Sequence, residues 1–296
     1  MKVSVIIPAW GDTPYLKETL AALSVQTFRD FEIIRCEPPE DAKNAGAARN
    51  AGIARAKGEW IWFLDADDVP MPTLLEECVA VGERTGADMV VFRADELDAK
   101  SGRRSPMPYL ERIEPYADER IHLVEELGGA RFTTFGLAPW NKMVRRDVIA
   151  KHALWFQSLP RSNDVAFSIE LMASVRTFVA LNRSLLAYRV NNVSSLQHTN
   201  AQTPTVFIDA LEEAERRLAG RYSKEFAVLR EETVRYHLHS VRTLAAYREL
   251  TMRLGLSQGL KGSTRVLFRL IRDWETLCDR GLAFCIRRFW TKGARG

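Results

Sequence analysis

The chain has too few of the residues that staple a small or metal-built fold. Its 296 residues include four cysteines, Cys36, Cys78, Cys278 and Cys285, with no Cys-x-x-Cys pair among them. That excludes a zinc ribbon or a disulfide scaffold and suits a reducing compartment. No apolar run approaches the ~18 residues that would suggest a membrane-spanning helix. The run at residues 3–7 is too short for a signal-peptide core and meets Pro8 at once, so a cytoplasmic protein is expected. The net charge of +4 is too weak to demand nucleic acid as a partner. Internal repeats and low-complexity tracts are also missing. The 46% hydrophobic fraction is enough for one large α/β domain with an appendage, or for two domains.

What is present is an alternation of strand and helix patterns. Residues 3–7 read as a buried strand, and 31–36, 60–64 and 89–92 read as further strands. Residues 14–26, with Leu16, Leu20 and Leu23 at helical spacing, and the Ala-rich 45–56 and 72–85 read as helices. The order predicts an α/β fold with a mostly parallel sheet covered on both faces. Residues 98–120, rich in Pro, Arg and Glu, read as an irregular excursion. A short helix at 146–152 and two strands within 175–181 and 185–189 follow. From residue 203 the texture turns helical, over 207–218, 224–250 and 263–290, which places a boundary near residue 200 between a 1–200 domain and a 201–296 helical region.

In such sheets ligands sit beyond the carboxyl ends of the strands, and Pro8, Glu37 and Asp65 all fall there. The strand at 60–64 ends in Asp65-Ala66-Asp67-Asp68. Carboxylates this close repel unless protons or a cation neutralise them. A hard divalent ion such as Mg2+ or Mn2+, bound by one or two carboxylates plus phosphate oxygens, is the natural solution. The plainer alternative is a strand-to-helix turn in which an Asp caps the next helix, and Asp68, just before Pro70 and Pro72, suits that role.

Other candidates carry paired readings. In Trp140-Asn141-Lys142, the indole offers a flat face to a sugar or anchors the sheet, and Asn141 and Lys142 offer polar contacts. Arg161 binds diphosphate or forms a surface ion pair. His198 approaches a metal or diphosphate, or is structural. The segment 282–292 alternates apolar and aromatic residues with Arg and Lys. It reads as a helix in a lipid headgroup region or as one packed on its neighbours. Cys278 and Cys285, seven apart, read as packing residues.

The motifs Val3-Ser4-Val5-Ile6-Ile7-Pro8, Ser24-Val25-Gln26-Thr27-Phe28, Phe31-Glu32-Ile33-Ile34, Ala48-Arg49-Asn50-Ala51-Gly52 and Phe63-Leu64-Asp65-Ala66-Asp67-Asp68 occur in that order. Together with Ala138-Pro139-Trp140-Asn141-Lys142, Pro160-Arg161-Ser162-Asn163-Asp164 and Tyr188-Arg189-Val190-Asn191, the set resembles the family 2 glycosyltransferases of the GT-A fold, over roughly the first 200 residues. The later pieces resemble bacterial enzymes of cell-surface polysaccharide synthesis. The resemblance implies inverting transfer from a nucleotide-sugar, with UDP favoured, to a glycan or lipid-linked acceptor, using Mn2+ or Mg2+.

By that resemblance Pro8 and Ala9 line the nucleotide pocket, and Arg49 approaches the base or diphosphate. Asp65, with Ala66, faces the ribose and donor sugar, Asp67 is the metal ligand, and Asp164 stands where the family has its catalytic base. Inverting transfer needs the base and the metal on opposite sides of the sugar, and about a hundred residues separate Asp67 from Asp164. The alternative for Asn163-Asp164 is a helix N-cap. Two departures stand out. Trp10-Gly11 replaces the family's Tyr-Asn, and Glu37-Pro38-Pro39-Glu40 replaces Asp-Asp-Gly-Ser, so Glu37 takes the place of the aspartate that accepts from uracil, in a loop stiffened by two prolines. Nucleic acid is not expected as a partner. A homo-oligomer and peripheral contact with the inner membrane face through 282–292 are allowed by the chain. The rival enzyme reading is a haloacid-dehalogenase-type phosphohydrolase, loosely permitted by Asp67-Asp68-Val69 but without its partner motifs. The non-enzymatic rival is a degenerate nucleotide-sugar binding protein. A pyrophosphorylase would need a Gly-rich loop where this chain has Ala9-Trp10-Gly11-Asp12.

Overall fold

The computed structural model describes residues 1–11, 14–192, 203–240 and 244–255. His198, Cys278, Cys285, the helix expected over 263–290 and the basic segment 282–292 lie outside them. The described residues fall into two compact units. The first holds Met1–Ser195 and Val206–Arg230, and it contains the sheet. The second takes Leu196–Thr205 and the residues from Glu231 on.

The first unit opens with β1 (Val3–Pro8), α1 (Leu16–Ser24), β2 (Phe31–Cys36), α2 (Ala45–Arg55), β3 (Trp60–Phe63), β4 (Val69–Pro70), α3 (Leu74–Thr85) and β5 (Met89–Asp98). The excursion holds β6 (Arg104–Pro106), a 3-10 helix at Pro108–Tyr116, β7 (His122–Leu123) and a second 3-10 helix at Val124–Ala130. Then come β8 (Lys142–Arg145), α4 (Arg146–Lys151), α5 (Val165–Ser174), β9 (Thr177–Val190) and α6 (Val206–Leu218). α7 (Ser223–Ser240) begins in the first unit, and α8 (Leu244–Arg253) lies in the second.

The main sheet runs β2-β1-β3-β8-β5-β9-β4, with β6 on β5 and β7 on β9. β1 pairs in parallel with β2 and β3, so their carboxyl ends finish together. β8 is antiparallel to both β3 and β5, which makes the sheet mixed rather than mostly parallel. The reason lies in the connection. The chain reaches β8 from the carboxyl side of the sheet and has to run down it. The two strands expected at 175–181 and 185–189 are one, β9, parallel to β5 along its length. The register steps from Phe92↔Leu181 to Arg93↔Ser184, so polar Asn182 and Arg183 bulge outward without ending the strand.

Every residue of β3 is buried, as expected of a central strand covered on both faces. Trp62 Nε1 donates to the Trp140 carbonyl at 2.8 Å. Phe63 meets Phe156 and Phe167 edge-on, with centroids 4.9 and 5.4 Å away, and those two rings stack at 3.9 Å. This aromatic cluster lies directly behind the acidic turn that ends β3.

Gly52 lets α2 lie close on β1 and β2. A Cβ there would overlap the Ile6 side chain and stand 2.9 Å from Cys36 Sγ. Gly52→Ala is therefore expected to destabilise the fold by about 1–3 kcal/mol through overpacking, although alanine is the better helix former by about 1 kcal/mol. Urea unfolding measures this. A variant as stable as the parent would show that α2 can shift freely.

Candidate functional site

The ends of β1, β2 and β3 form one rim. The Ala9 N–H donates to Cys36 O at 3.0 Å, which sets Pro8 and Ala9 beside Glu37. Glu37 itself is 68% exposed and stands 3.7 Å from Arg35. The turn after β3 is pinned where Thr19 Oγ1 donates to Ala66 O at 3.0 Å.

The three carboxylates of that turn have different surroundings. Asp65 Oδ1 accepts from Arg49 Nη2 at 2.6 Å. Asp67 Oδ2 accepts from Asn192 Nδ2 at 2.9 Å. Asp68 is buried, and its Oδ1 accepts from the Arg189 N–H at 2.8 Å. Its Oδ2 has no hydrogen-bond partner among the described residues. Asp68 therefore ties the turn to β9. Burial and the neighbouring carboxylates push both Asp67 and Asp68 above the usual carboxylate range.

Asp164 stands at the start of α5, and its side chain does not cap that helix. Asn163 does not cap it either: its Oδ1 accepts from Arg49 Nη1 at 2.9 Å, and its Nδ2 donates to Leu159 O at 3.2 Å. Burial raises the Asp164 carboxyl above its ordinary value, Asp65 adds to the rise, and Arg49 and Lys142 oppose it. Asp65 and Asp164 thus feel one another's charge, although 99 residues separate them in sequence. Asp67, Asp164 and Tyr188 each keep partial solvent access while protein surrounds them, the situation of side chains lining a crevice.

Helix α2 builds the wall that carries Asp164. Asn44 caps α2 by accepting from the Ala47 N–H at 3.0 Å, and its amide donates to Ser158 Oγ at 2.9 Å. Asn50 pairs with the Phe156 backbone through both amide atoms, at 2.9 and 2.8 Å. Gly46 gives room to the Gln157 carbonyl and to Asn163, whose Cβ would stand 2.9 Å from a Cβ at position 46. The Gln157 N–H closes the loop on Asn163 O at 3.0 Å. Arg49 is 5% exposed, and its guanidinium lies 5.2 Å from the Phe156 ring centroid. Arg49, expected at the base or diphosphate, gives Nη1 to Asn163 and Nη2 to Asp65 and so links the acidic turn to the loop before α5.

The sugar contacts expected from Trp140, Asn141 and Lys142 are corrected: all three are buried. Trp140 stacks on Tyr188, centroids 4.9 Å apart and planes at 24°. Lys142 Nζ donates to the carbonyls of Phe135 (3.1 Å), Gly136 (3.0 Å) and Ala138 (2.7 Å) and to Asn141 Oδ1 (2.8 Å). Asn141 Nδ2 donates to Phe135 O at 3.0 Å. The motif is a cage that fixes the 135–141 loop. Burial pulls the Lys142 amine down to about 7, and Asp164 opposes the shift. Arg161 is half-buried, two residues before Asn163. Residues that pattern reading passed over include Asn44, Asn50, Asn192 and Arg189. Arg189 donates to Asp67 O at 2.7 Å and to Glu18 at 2.6 Å and lies over the Tyr15 ring at 4.1 Å. A polar residue with a small or apolar neighbour gives no period by which such roles can be seen.

The mixed sheet with its helices matches solved glycosyltransferase structures of the GT-A fold. Residues 39–152 match the family model described as Glycosyl transferase family 2. The chain is 27% identical over 223 residues to the uncharacterized glycosyltransferase YibD of Escherichia coli K12, covering 65% of this chain and 62% of that protein. S. aureus TarS 1–349 in complex with UDP-GlcNAc superposes with a TM-score of 0.59 at 15% identity, covering 94% of this chain and 81% of that one. The mannosyltransferase PcManGT from Pyrobaculum calidifontis, in complex with GDP-Man and Mn2+, gives 0.52 at 14% identity, covering 98% and 88%. The family-model match over residues 39–152 and these relatives support a family 2 glycosyltransferase.

Lys142→Met should cost at least about 2 kcal/mol, because three backbone carbonyls and Asn141 lose their common donor in a buried place. Chemical unfolding checks this. A loss within about 0.5 kcal/mol, the range of an ordinary surface substitution, would show that the cage is not needed for the fold.

Proposed function

We propose that this protein is an inverting glycosyltransferase that moves a sugar from a nucleotide-sugar, with UDP favoured, to a hydroxyl of a glycan or lipid-linked acceptor in cell-surface polysaccharide synthesis. The observation that carries the reading is the acidic turn Asp65–Asp68 facing Asp164, with Arg49 bridging the two sides. A cytoplasmic site of action, with residues 282–292 meeting the inner membrane face, belongs to the same proposal. No helix among the described residues is long and apolar enough to cross a membrane.

A divalent ion, Mn2+ or Mg2+, fits the turn. Asp67 keeps solvent access and gives only Oδ2 to Asn192, and repulsion within the turn favours a cation there. Among the described residues no three acidic, His or Cys side chains form a complete metal cage. A hard cation of this kind takes its remaining ligands from phosphate and water. Asp67, with Asp65 beside it, would hold the ion, which supplies positive charge to the departing nucleoside diphosphate.

The chain's own residues do the rest. The rim of Pro8, Ala9 and Glu37 receives the nucleoside, and Asp65, oriented by Arg49, faces the ribose and donor sugar. Asp164 removes the proton of the acceptor hydroxyl while that oxygen bonds to the anomeric carbon. The bond from that carbon to the diphosphate oxygen breaks on the opposite side, which inverts the configuration. The Arg49–Asn163 link and the Asn50–Phe156 pairing hold the base in place for a reaction that tolerates little misplacement.

The raised pKa of Asp164 sets the pH dependence. The carboxyl works only when ionised, so kcat/KM should fall on the acid side at a pH above the ordinary Asp value of about 3.9. For stability the sign is opposite. Where the folded state holds this proton more tightly than the unfolded chain, stability drops as pH rises through the interval between the two pKa values. Asp164→Asn should therefore abolish transfer while leaving the protein at least as stable near neutral pH, and an active Asn variant would remove Asp164 from the role of base. Asp67→Ala should remove metal-dependent nucleotide binding with little loss of stability. Melting-temperature shifts with UDP, GDP and their sugar conjugates, with and without Mn2+, test the donor site. A Mn2+-dependent shift with a uridine nucleotide supports the reading, a shift with another nucleotide changes the donor class, and no shift at all counts against it.

A further inference from the structure

We infer that Tyr109 forms the acceptor subsite of this crevice, receiving the apolar face of a saccharide whose hydroxyl is presented to Asp164. The inference rests on the glycosyltransferase reading and adds the substrate's class and its place of contact.

Tyr109 is held out rigidly. Pro108 opens the 3-10 helix, and Leu110 and Ile113 on the same turn are fully buried. Arg112 Nη1 donates to Thr133 O at 3.4 Å. Against these anchors Tyr109 remains 40% exposed. An aromatic ring fixed at its base and open on one side is a surface waiting for a flat partner.

The ring is also seated on the loop that packs against the helix of the base. It lies on Gly136, where an added Cβ would stand 2.7 Å from Tyr109 Cε2 and where the backbone takes φ +67°. Gly136 belongs to the loop that Lys142 cages through its carbonyl. Ser168 of α5 donates to Leu137 O in the same loop. Tyr109 and Asp164 are therefore carried on one frame, and no mobile linker separates them.

The polar surroundings fit a saccharide. The Tyr109 hydroxyl lies within electrostatic reach of Glu96, Asp164 and Asp68, and these carboxylates with burial push its pKa up, so the phenol stays neutral and able to donate. It makes no hydrogen bond among the described residues. Glu96 is half-buried on β5, opposite Tyr188 on β9. A sugar ring has C–H faces that stack on an aromatic surface and hydroxyls that donate to carboxylates, and this wall offers both.

The test uses methyl glycosides of glucose, galactose, mannose and N-acetylglucosamine as acceptor probes. UDP-glucose, UDP-N-acetylglucosamine and GDP-mannose serve in turn as donors with Mn2+. Nucleotide release is followed with and without the glycoside for the wild type, Tyr109→Ala and Tyr109→Phe. For the probe that accelerates release, Tyr109→Ala should raise its KM by about tenfold, the equivalent of about 1.4 kcal/mol. Acceptor-free donor hydrolysis and the donor KM should stay unchanged, and Tyr109→Phe should restore most of the acceptor affinity. If the Ala variant does not fold, Tyr109→Leu keeps bulk over Gly136 without an aromatic face and should show the same loss. An unchanged acceptor KM in the Ala or Leu variant would overturn the assignment. So would a wild type that hydrolyses a donor but responds to no glycoside, while the transferase reading would stand. A wild type that hydrolyses no donor and transfers to no glycoside would remove both.

Discussion

The site depends on one buried guanidinium. Arg49 comes from α2, and its two terminal nitrogens hold the end of β3 at Asp65 and the loop before α5 at Asn163. A charge at 5% exposure is costly unless it is paired. Here the pairing is also what sets the spacing between the acidic turn and Asp164. The Phe156 ring beneath the guanidinium is part of the aromatic cluster behind β3, so the brace rests on the best-packed region of the unit.

Lys142 does for the 135–141 loop what Arg49 does for the loop before α5. Its amine gathers three carbonyls that a tight loop would otherwise bury without donors. The two cations differ in kind. The flat fork of Arg49 reaches two side chains in set directions, whereas the compact ammonium of Lys142 fills the centre of a ring of oxygens. Both act on the crevice only through the backbone they hold, which is why they look like ligand-binding residues in the sequence and behave as framework in the structure.

Much of this was legible in the sequence, for identifiable reasons. β1 and β3 are short, largely apolar runs, α2 is Ala-rich, and an acidic cluster at a strand end has few structural explanations. The sequence did not reveal that β8 runs antiparallel, since direction comes from a connection with no periodic pattern. It did not show that β9 is continuous, because Asn182 and Arg183 look like a break when they are a bulge. Of the candidate site residues, Asp65 lies within electrostatic reach of both Asp67 and Asp164. Trp140, Asn141 and Lys142 do not face it, because a one-dimensional pattern gives no sign of whether a Trp or Lys points into solvent or into a ring of carbonyls. The part Asn50 and Asn44 play in seating the 156–163 loop carries no signal, since those partners are the Phe156 backbone and Ser158, more than a hundred residues away.

That separation has a bearing on how the site comes into being. The contacts that seat the Phe156–Asn163 loop on α2 join residues 106 to 114 positions apart. Closing so long a span is entropically costly until most of the intervening chain has folded. During synthesis the β1–β3 layer can assemble first, with its acidic turn in place. The base enters only when the chain has passed residue 164 and returned to the same helix. The crevice is therefore completed late, as a joint between an early-folding half and a late-arriving strap.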